Sequence, residues 1–328
     1  MRADILEGII NEYDEIRKRK EKERDERVKD VYERFPEIEE TDRKINSVGS
    51  DTLRVILSSP DKKGVREEMS DKFRILETKK KEILKKNGIP LDYDAIQYDC
   101  DKCKDTGYDE NNGRCSCFKQ KLIDRLYAGS NMEGLLDGKS FDLFDMDYYC
   151  KNKMEGHNTT PYDNMVKIKE RCQKFAENFD NEKKSIMFIG DTGLGKTYLS
   201  SCIAREVMDQ GRTVAYIRAA KLFSLFEDER FGRAEGETDE LCRADLLIID
   251  DLATEVQSKN NSAYILELLN ERMSRGKRMI INTNIGFGGL EKLYTKRFTS
   301  RLMDEFEILY FYGDDIRKQK LFRSRGKN

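Results

Sequence analysis

The sequence predicts an α/β fold, a parallel sheet flanked by helices, preceded by a helical N-terminal region that carries a cysteine knuckle. From residue 181 onward, short apolar runs alternate with segments of helical periodicity, which is typical of parallel strands joined by helices. A glycine-rich loop follows the first apolar run, and a pair of acids ends the third. Four closely spaced cysteines upstream predict the knuckle.

The composition is that of a packed protein with balanced charge. The 328 residues suffice for two domains or one large one, and 38% of them are hydrophobic. Lys and Arg total 61 against 63 Asp and Glu, a net charge of -2, so any nucleic-acid-binding surface must be local. Because the chain has neither a long apolar run nor a signal-peptide core, we expect a cytoplasmic protein without a membrane span.

Differences in composition and periodicity divide the chain into four segments. Residues 1–98 are predicted to form a helical partner-binding region and residues 99–118 the knuckle. Residues 119–160 are predicted to be a linker, and residues 161–328 the nucleotide-binding domain.

The N-terminal segment has helical periodicity and many charges. Pro36 is predicted to end or kink the first helix, and further helices are expected near 37–57 and 66–86. The charged run at 17–27 indicates a solvated helix face, with nucleic-acid contact as the alternative. The apolar residues that form either this region's own core or a partner-binding face are Val28, Val31, Tyr32 and Phe35.

The knuckle consists of Cys100-x-x-Cys103 followed by Cys115-x-Cys117. Four thiolates on two short turns suit tetrahedral Zn²⁺ and leave no open coordination position, so the site is predicted to be structural. Metal binding would fold a segment that has little apolar content of its own. An iron–sulfur cluster and free or redox-active thiols are the alternatives.

The C-terminal segment contains five apolar runs separated by helical segments. Strands are expected at 185–189, 213–217, 245–250, 278–282 and 306–311. Helices are expected between them, near 195–209, 219–228, 260–274 and 295–303.

A phosphate-binding loop follows the first of these strands. Its glycines let the backbone wrap closely around phosphate, and the amides at the start of the next helix point at the anion. Lys196 is predicted to reach the β- and γ-phosphates, and the hydroxyl of Thr197 is predicted to hold Mg²⁺. The residues of this loop are Gly190, Asp191, Thr192, Gly193, Leu194, Gly195, Lys196 and Thr197.

Polar residues follow two further strands. Asp250 is assigned to the metal and Asp251 to the general base that polarises the attacking water. Asn284 is the better candidate for holding that water, whereas Asn282 is interpreted as a residue that terminates its strand.

Three downstream arginines are candidates for phosphate contact. An arginine at position 297 or 301, offered across a subunit interface, would stabilise charge in the transition state, although both positions also suit ordinary surface arginines. Arg317 is placed to reach the same phosphates within its own chain. The aromatic and acidic stretch 141–149 either covers the nucleotide base or packs a domain junction.

Five of these elements together resemble the AAA+ ATPases of the DnaC/DnaI type, the bacterial and phage replicative helicase loaders. The elements are Gly190–Thr197, Asp250-Asp251, Thr283-Asn284, Ser300-Arg301-Leu302 and Gly313–Arg317. The resemblance covers roughly residues 160–325, and the knuckle extends it. The acidic pair is Asp-Asp here, where many AAA+ proteins have Asp-Glu.

The resemblance implies a strand order of 5-1-4-3-2. It also implies roles for three residues: Asn284 as the first sensor, Arg301 as an arginine finger acting in trans, and Arg317 as the second sensor. Inserted helices within residues 219–243 would face a channel that binds single-stranded DNA. The residues in that region that suit such contacts are Arg218, Lys221, Phe223, Phe226, Arg230, Phe231 and Arg233.

The function that the resemblance implies is an ATP-dependent loader. It would bind a DnaB-type replicative helicase through its N-terminal region, bind single-stranded DNA, self-associate through the AAA+ domain and use no membrane partner. ATP, Mg²⁺ and Zn²⁺ are the implied cofactors. The alternative is an ATPase helper of a DNA transposase resembling IstB, a class that generally has a shorter N-terminal region without four cysteines. Intact loop residues argue against an adaptor with a decayed site, and the sensor pattern argues against a small-molecule kinase.

Overall fold

The computed structural model describes residues 2–58, 62–126, 136–233, 236–255, 258 and 260–325. By its contacts the chain separates into two units. One spans Glu7–Gly113, and the other spans Arg114–Asn328 together with Met1–Leu6. Residues 127–135 of the expected linker lie outside the described part of the chain.

The N-terminal helices are α1 (Arg2–Arg34), α2 (Pro36–Ser58) and α3 (Lys62–Lys86). Pro36 begins α2, because proline is tolerated in the first turn of a helix, where its missing N–H has no partner to lose. Helix α1 ends at Arg34, so the predicted end of the first helix at Pro36 is present. The core of this unit contains Val31, Ile38, Ile83, Leu84 and Tyr93. Val31 is one of the four apolar residues that the sequence assigned either to this core or to a partner-binding face, and it belongs to the core. The other three, Val28, Tyr32 and Phe35, are partly buried and pack against that core.

The α/β unit has a five-stranded sheet. Its strands are β1 (Ser185–Ile189), β2 (Val214–Arg218), β3 (Leu246–Leu252), β4 (Arg278–Thr283) and β5 (Phe306–Tyr310). All four neighbouring pairs are parallel, in the order β2-β3-β4-β1-β5. This is the order that the resemblance implied, and all five expected strands are present with ends shifted by no more than two residues.

Helices cover the sheet on both faces. They are α4 (Ser116–Leu126), α5 (Pro161–Glu177), α6 (Lys196–Asp209), α7 (Ala219–Arg230), α8 (Glu237–Arg243), α9 (Asn261–Ser274), α10 (Phe287–Leu293), α11 (Lys296–Glu305) and α12 (Ile316–Arg325). The four expected helices correspond to α6, α7, α9 and α11. Periodicity did not predict α10, because it is a short helix with two consecutive glycines, which are poor helix formers.

Apolar residues of each strand alternate between two core layers. In β3, Leu247 and Ile249 belong to one layer, whereas Leu246 and Ile248 belong to the other. A strand buried on both faces has a continuous apolar run rather than an alternating one, which explains the uninterrupted run before the acidic pair. Because all five strands are parallel, their carboxyl ends lie at one edge of the sheet. No helix in the described ranges is both long and apolar enough to cross a membrane.

Candidate nucleotide-binding site

The phosphate loop connects β1 to α6, and its conformation requires glycine. Gly193 and Gly195 have φ angles of 79° and 97°, in the left-handed region that side chains disfavour. A Cβ at Gly193 would lie 2.0 Å from Oδ1 of Asp315, and one at Gly190 would lie 2.3 Å from the carbonyl oxygen of Phe311. The loop is therefore packed tightly against the segment that precedes α12.

Lys196 begins α6 and is only 7% exposed. Its ammonium donates to the carbonyl oxygens of Gly190 and Asp191, the latter at 2.7 Å, and to Oδ1 of Asn284, also at 2.7 Å. Burial lowers the pKa of Lys196 to about 8, although Asp250 and Asp251 oppose that shift. The lysine expected to contact phosphate and the asparagine expected to hold water are thus hydrogen-bonded to each other.

Asp250 and Asp251 both line the same cavity, although consecutive strand residues normally point to opposite faces. The pairing of β3 with β4 is irregular between Ile249 and Leu252, and Asp251 has a φ of 56°. Such a bulge redirects side chains, which is common beside active sites. Burial, followed by the charge on Asp250, raises the pKa of Asp251.

The hydroxyl of Thr197 lies 3.1 Å from Oδ2 of Asp250. A hydroxyl and a carboxylate at the mouth of a phosphate loop are the hard oxygen donors that Mg²⁺ prefers. This donor set fits the ion, and Thr197 and Asp250 are the residues that would hold it.

The buried polar residues behind Asp250 were not predicted from the sequence. Its carboxylate accepts hydrogen bonds from the side chains of Asn282, at 2.8 Å, and of Tyr216. The interpretation of Asn282 as a residue that terminates its strand was wrong, because β4 continues through Thr283 and Asn282 is 1% exposed. No local motif marks Tyr216, since strand pairing alone brings it to the acid.

The cavity enclosed by these elements has a volume of about 620 Å³. That volume falls within the usual range for small-molecule sites. The expected site residues that line it are Thr192, Gly193, Leu194, Gly195, Lys196, Thr197, Asp250, Asp251, Asn284 and Arg317. Among the described residues, its lining does not include Gly190, Asp191 or Arg301. Arg301 is exposed on α11, where its guanidinium lies 3.9 Å from Glu305.

The aromatic stretch both packs and lines the cavity. Phe144 and Tyr149 belong to a buried core layer, and their rings stack with centroids 5.8 Å apart. The hydroxyl of Tyr149 donates to the carbonyl oxygen of Leu194 at 2.9 Å. Phe144, Tyr148 and Tyr149 also line the cavity. The core layer on which Phe144 and Tyr149 pack lies within the α/β unit and not at a domain junction, and covering of the nucleotide base stays a prediction.

The residues proposed for DNA contact do not form one surface. Arg218 lines the nucleotide cavity, Phe223 is buried in the core, and Phe226 stacks on Tyr264 with the ring centroids 5.0 Å apart. At the end of α7, in contrast, Phe231 is 63% exposed. The guanidinium groups of Arg230 and Arg233 lie 5.7 and 5.1 Å from the centroid of its ring, respectively.

The four cysteines of the knuckle converge. The sulfur atoms of Cys100, Cys103, Cys115 and Cys117 all lie within 4.8 Å of one another. Lys104 and Asp105 adopt left-handed φ angles of 49° and 56°, and the Asp105 carboxylate accepts the backbone N–H of Cys100 at 2.8 Å. These tight turns and the all-thiol donor set fit Zn²⁺.

Comparisons with known proteins match the α/β unit to a family of ATP-binding proteins. The family described as IstB-like ATP binding protein matches residues 165–324. The chain is 27% identical over 220 residues to the phage-like element PBSX protein XkdC of Bacillus subtilis, covering 62% of this chain and 78% of that protein. It is 29% identical over 143 residues to the replicative helicase loader DnaC of Escherichia coli K12, covering 42% of this chain and 56% of that protein. The chain thus spans only about half of the latter relative.

Two solved structures align with about half of this chain. The crystal structure of the DnaC helicase loader aligns with 19% identity and a TM-score of 0.43, over 52% of this chain and 98% of that one. The crystal structure of DnaI aligns with 17% identity and a TM-score of 0.44, over 56% and 93%, respectively. From the matching family and the sequence relatives, residues 165–324 form an ATP-binding domain of the IstB/DnaC family.

Proposed function

We propose that this chain is an ATPase that loads a DnaB-type replicative helicase onto single-stranded DNA. The observation that carries the proposal is the convergence of Lys196, Thr197, Asp250, Asp251 and Asn284 on one cavity within a domain of the IstB/DnaC family. Similarity to the Escherichia coli replicative helicase loader DnaC supports the assignment to replication.

In the proposed site, the loop from Gly190 to Thr197 wraps the phosphates of ATP. Lys196 exchanges its carbonyl partners for the β- and γ-phosphate oxygens, which releases Asn284 from the ammonium and frees it to orient the attacking water. Mg²⁺, when bound by Thr197 and Asp250, offsets phosphate charge.

Catalysis is assigned to residues around the γ-phosphate. Asp251 accepts the proton of the attacking water, and burial, followed by the charge on Asp250, raises the pKa of this carboxylate, which suits a proton acceptor. Arg317 contacts the phosphates within its own chain. Arg301, which is exposed and lies outside its own cavity lining, acts on the site of a neighbouring copy. The active enzyme is therefore proposed to self-associate through the AAA+ domain.

The N-terminal half of the chain is proposed to serve partner binding. In this proposal residues 1–98 contact the helicase, residues 99–118 form a structural Zn²⁺ knuckle, residues 119–160 link the two halves, and residues 161–328 form the AAA+ domain. The converging thiols support the knuckle. A loader works where the replicative helicase works, so the proposal includes a cytoplasmic location.

Single-stranded DNA is proposed to bind at the end of α7. An exposed aromatic ring offers a stacking surface for a base, and the arginines beside it contribute positive charge for the backbone.

The second candidate is an ATPase helper of a DNA transposase. The name of the matching family, IstB-like ATP binding protein, is the observation that favours it. The two candidates share the ATP site and differ in the protein that the N-terminal region binds.

Co-purification with the replicative helicase of the same host, with and without ATP, tests the proposal. We expect a complex with the helicase hexamer whose particle mass accounts for both proteins. Deletion of residues 1–118 should abolish that complex while ATP binding persists, which serves as the folding control. Intact ATP binding without a helicase complex would contradict the loader assignment and favour the transposase helper.

A further inference from the structure

We propose that Tyr216, Asn282 and Ser200 are positioning residues that fix the Asp250 carboxylate in the orientation that binds Mg²⁺. The inference rests on the proposed nucleotide site and extends it beyond the residues of the phosphate loop. Asn282 and Ser200 lie behind the site, 1% and 0% exposed, and act on the ion only through Asp250.

The carboxylate of Asp250 is held on both oxygens. Oδ1 accepts a hydrogen bond from Nδ2 of Asn282 at 2.8 Å, and Oδ2 accepts one from the hydroxyl of Tyr216. The hydroxyl of Thr197 lies 3.3 and 3.1 Å from the same two oxygens. Since donors on β2 and β4 hold the carboxylate from either side, it cannot rotate away from Thr197 without breaking a buried hydrogen bond.

Ser200 contacts the opposite end of the Asn282 amide from the one that faces Asp250. Its hydroxyl lies 3.0 Å from Oδ1 of Asn282 and 3.1 Å from the carbonyl oxygen of Lys196. Only Nδ2 of the amide can donate to a carboxylate, because the opposite orientation would place two acceptors against each other. Ser200 thus links α6, one turn after the phosphate-binding lysine, to the strand that orients the metal-binding acid.

Tyr216 supplies the second donor from the neighbouring strand. It is 3% exposed, and its hydroxyl donates a hydrogen bond to Oδ2 of Asp250. A neutral donor of fixed position is well suited to orient a carboxylate without competing for the cation.

A purely structural role for this network makes a different prediction from a positioning role. The loop amides and Lys196 bind phosphate without Asp250, so loss of positioning should weaken only the binding that depends on Mg²⁺. Loss of general structure should weaken nucleotide binding equally with and without the ion.

The experiment measures binding of a fluorescent, non-hydrolysable ATP analogue to the full-length protein during Mg²⁺ titration and in EDTA. The variants are N282L, Y216F and S200A. Hydrogen bonds to charged groups are strong enough that we expect N282L and Y216F to raise the Mg²⁺ concentration for half-maximal binding about tenfold or more. Affinity in EDTA should stay within about twofold, and S200A should give a smaller shift, since Asn282 retains its bond to Asp250.

The matched control is T213V, which removes a buried hydroxyl at the opposite end of β2. Thr213 is 4% exposed and bonds to Asp245, remote from the carboxyl ends of the strands. It should leave the Mg²⁺ midpoint unchanged. An unchanged midpoint in folded Y216F and N282L, or an equal loss of affinity in EDTA, would overturn the inference.

The outcomes also separate this inference from the proposed function. Wild-type protein whose analogue binding gains nothing from Mg²⁺ would overturn both the assigned metal site and its positioning. Wild-type Mg²⁺ dependence with unresponsive variants overturns the positioning role alone, whatever the protein does with a helicase.

Discussion

Among single residues, Lys196 has the environment that nucleotide binding should change most. Its three protons are shared among two backbone carbonyls and one amide oxygen, all uncharged acceptors. Burial therefore outweighs the stabilisation of its charge, and its pKa falls to about 8. A phosphate in the cavity would supply the negative charge that these acceptors lack.

This pKa predicts opposite effects of pH on stability and on binding. The native pKa of about 8 lies below the unfolded value, so the unfolded state binds more protons between roughly pH 8 and 10. The nucleotide-free protein should gain stability from this residue as pH rises through that window. Nucleotide affinity in EDTA should fall over the same window, because the lysine loses its charge.

Affinity measured from pH 7 to pH 9.5, together with thermal unfolding, tests this prediction. The control is Lys196→Met, which removes the titrating group and should abolish the residue's contribution to both trends. If the wild-type protein and the Lys196→Met variant showed the same pH dependence of stability, that result would contradict the lowered pKa of Lys196.

Substitution of Asp251 should affect ATP hydrolysis without affecting nucleotide binding. Asn has the same shape and tolerates the left-handed φ of 56°, so Asp251→Asn should fold normally. Loss of the base should reduce the ATP turnover number by about 100-fold or more, while nucleotide affinity changes little. Turnover assays and equilibrium binding check this, and wild-type turnover in the variant would exclude Asp251 as the base.

The residues predictable from sequence are those whose neighbours along the chain define them. Lys196 and Asp250 belong to local sequence patterns that by themselves indicate phosphate binding and metal binding. Tyr216 and Asn282 contact Asp250 only because β2 and β4 flank β3, and that neighbour relation appears nowhere in the local sequence. Strand pairing also explains the position of Arg218, which was interpreted from the sequence as a DNA contact. Arg218 lies opposite Asp250 on the neighbouring strand, and this pairing brings it to the nucleotide cavity.

Among the structural elements, the turn at the end of α7 combines exposure with positive charge. An ion pair of 3.0 Å with Asp228 holds Arg233 beside Phe231. Phe231 is exposed, and two guanidinium groups contact its ring, so this turn offers a stacking surface accompanied by positive charge. Helices α7 and α8 lie within residues 219–243, where the resemblance implied inserted helices, whereas the DNA contacts assigned to this region stay predictions.

Charge reversal at this turn should weaken single-stranded DNA binding and spare ATP binding. We expect Arg230→Glu and Arg233→Glu each to reduce the salt dependence of DNA affinity by about one unit of slope. Phe231→Ala should remove about 1–3 kcal/mol of stacking and leave that slope unchanged.

The control is Arg243→Glu on α8, whose guanidinium is exposed and pairs with Asp239 at 3.0 Å. Titration of labelled DNA at several salt concentrations provides the measurement. Equal losses in the control and the test variants would attribute the effect to net charge, and no loss in the test variants would remove this turn from the DNA-binding surface.

The knuckle is an element whose folding should depend on metal. Its turns place three residues other than glycine, Lys104, Asp105 and Asn112, at left-handed φ, which is unfavourable unless something holds them. We expect about one Zn²⁺ per chain by elemental analysis, lost in Cys103→Ser. Cys172→Ser, which changes a buried thiol remote from the knuckle in sequence, should retain the ion. Iron in the purified protein instead of zinc would favour the iron–sulfur alternative.

At the scale of the whole molecule, the parallel sheet explains why distant motifs form one site. Strands β1, β3 and β4 are adjacent, and each ends in part of the phosphate machinery. The resemblance supplied that order, which apolar periodicity alone does not, because any arrangement of five buried strands has the same local pattern. The assembly of several copies depends on contacts between chains, which local sequence patterns do not describe. Substitution of Arg301 tests whether such contacts complete the ATP site.

Arg301 should act on a neighbouring copy. It is exposed on α11, and the described residues that line the chain's own cavity do not include it. Arg301→Ala should therefore retain nucleotide affinity but lose turnover, by a factor of about 10³ if it stabilises charge as arginine fingers do. Lys196→Ala should lose nucleotide binding yet still present Arg301 to a neighbour.

Mixing the two inactive variants makes the prediction decisive. A Lys196→Ala copy can complete the ATP site of an Arg301→Ala copy, so the mixture should hydrolyse ATP faster than the sum of the two variants measured alone. Lys292→Ala, which removes an exposed cation from α10, should remain active and add nothing when mixed with Lys196→Ala. If the mixture shows only the sum of its parts while Arg301→Ala is inactive, the arginine acts within its own chain, which would require α11 to move toward the cavity.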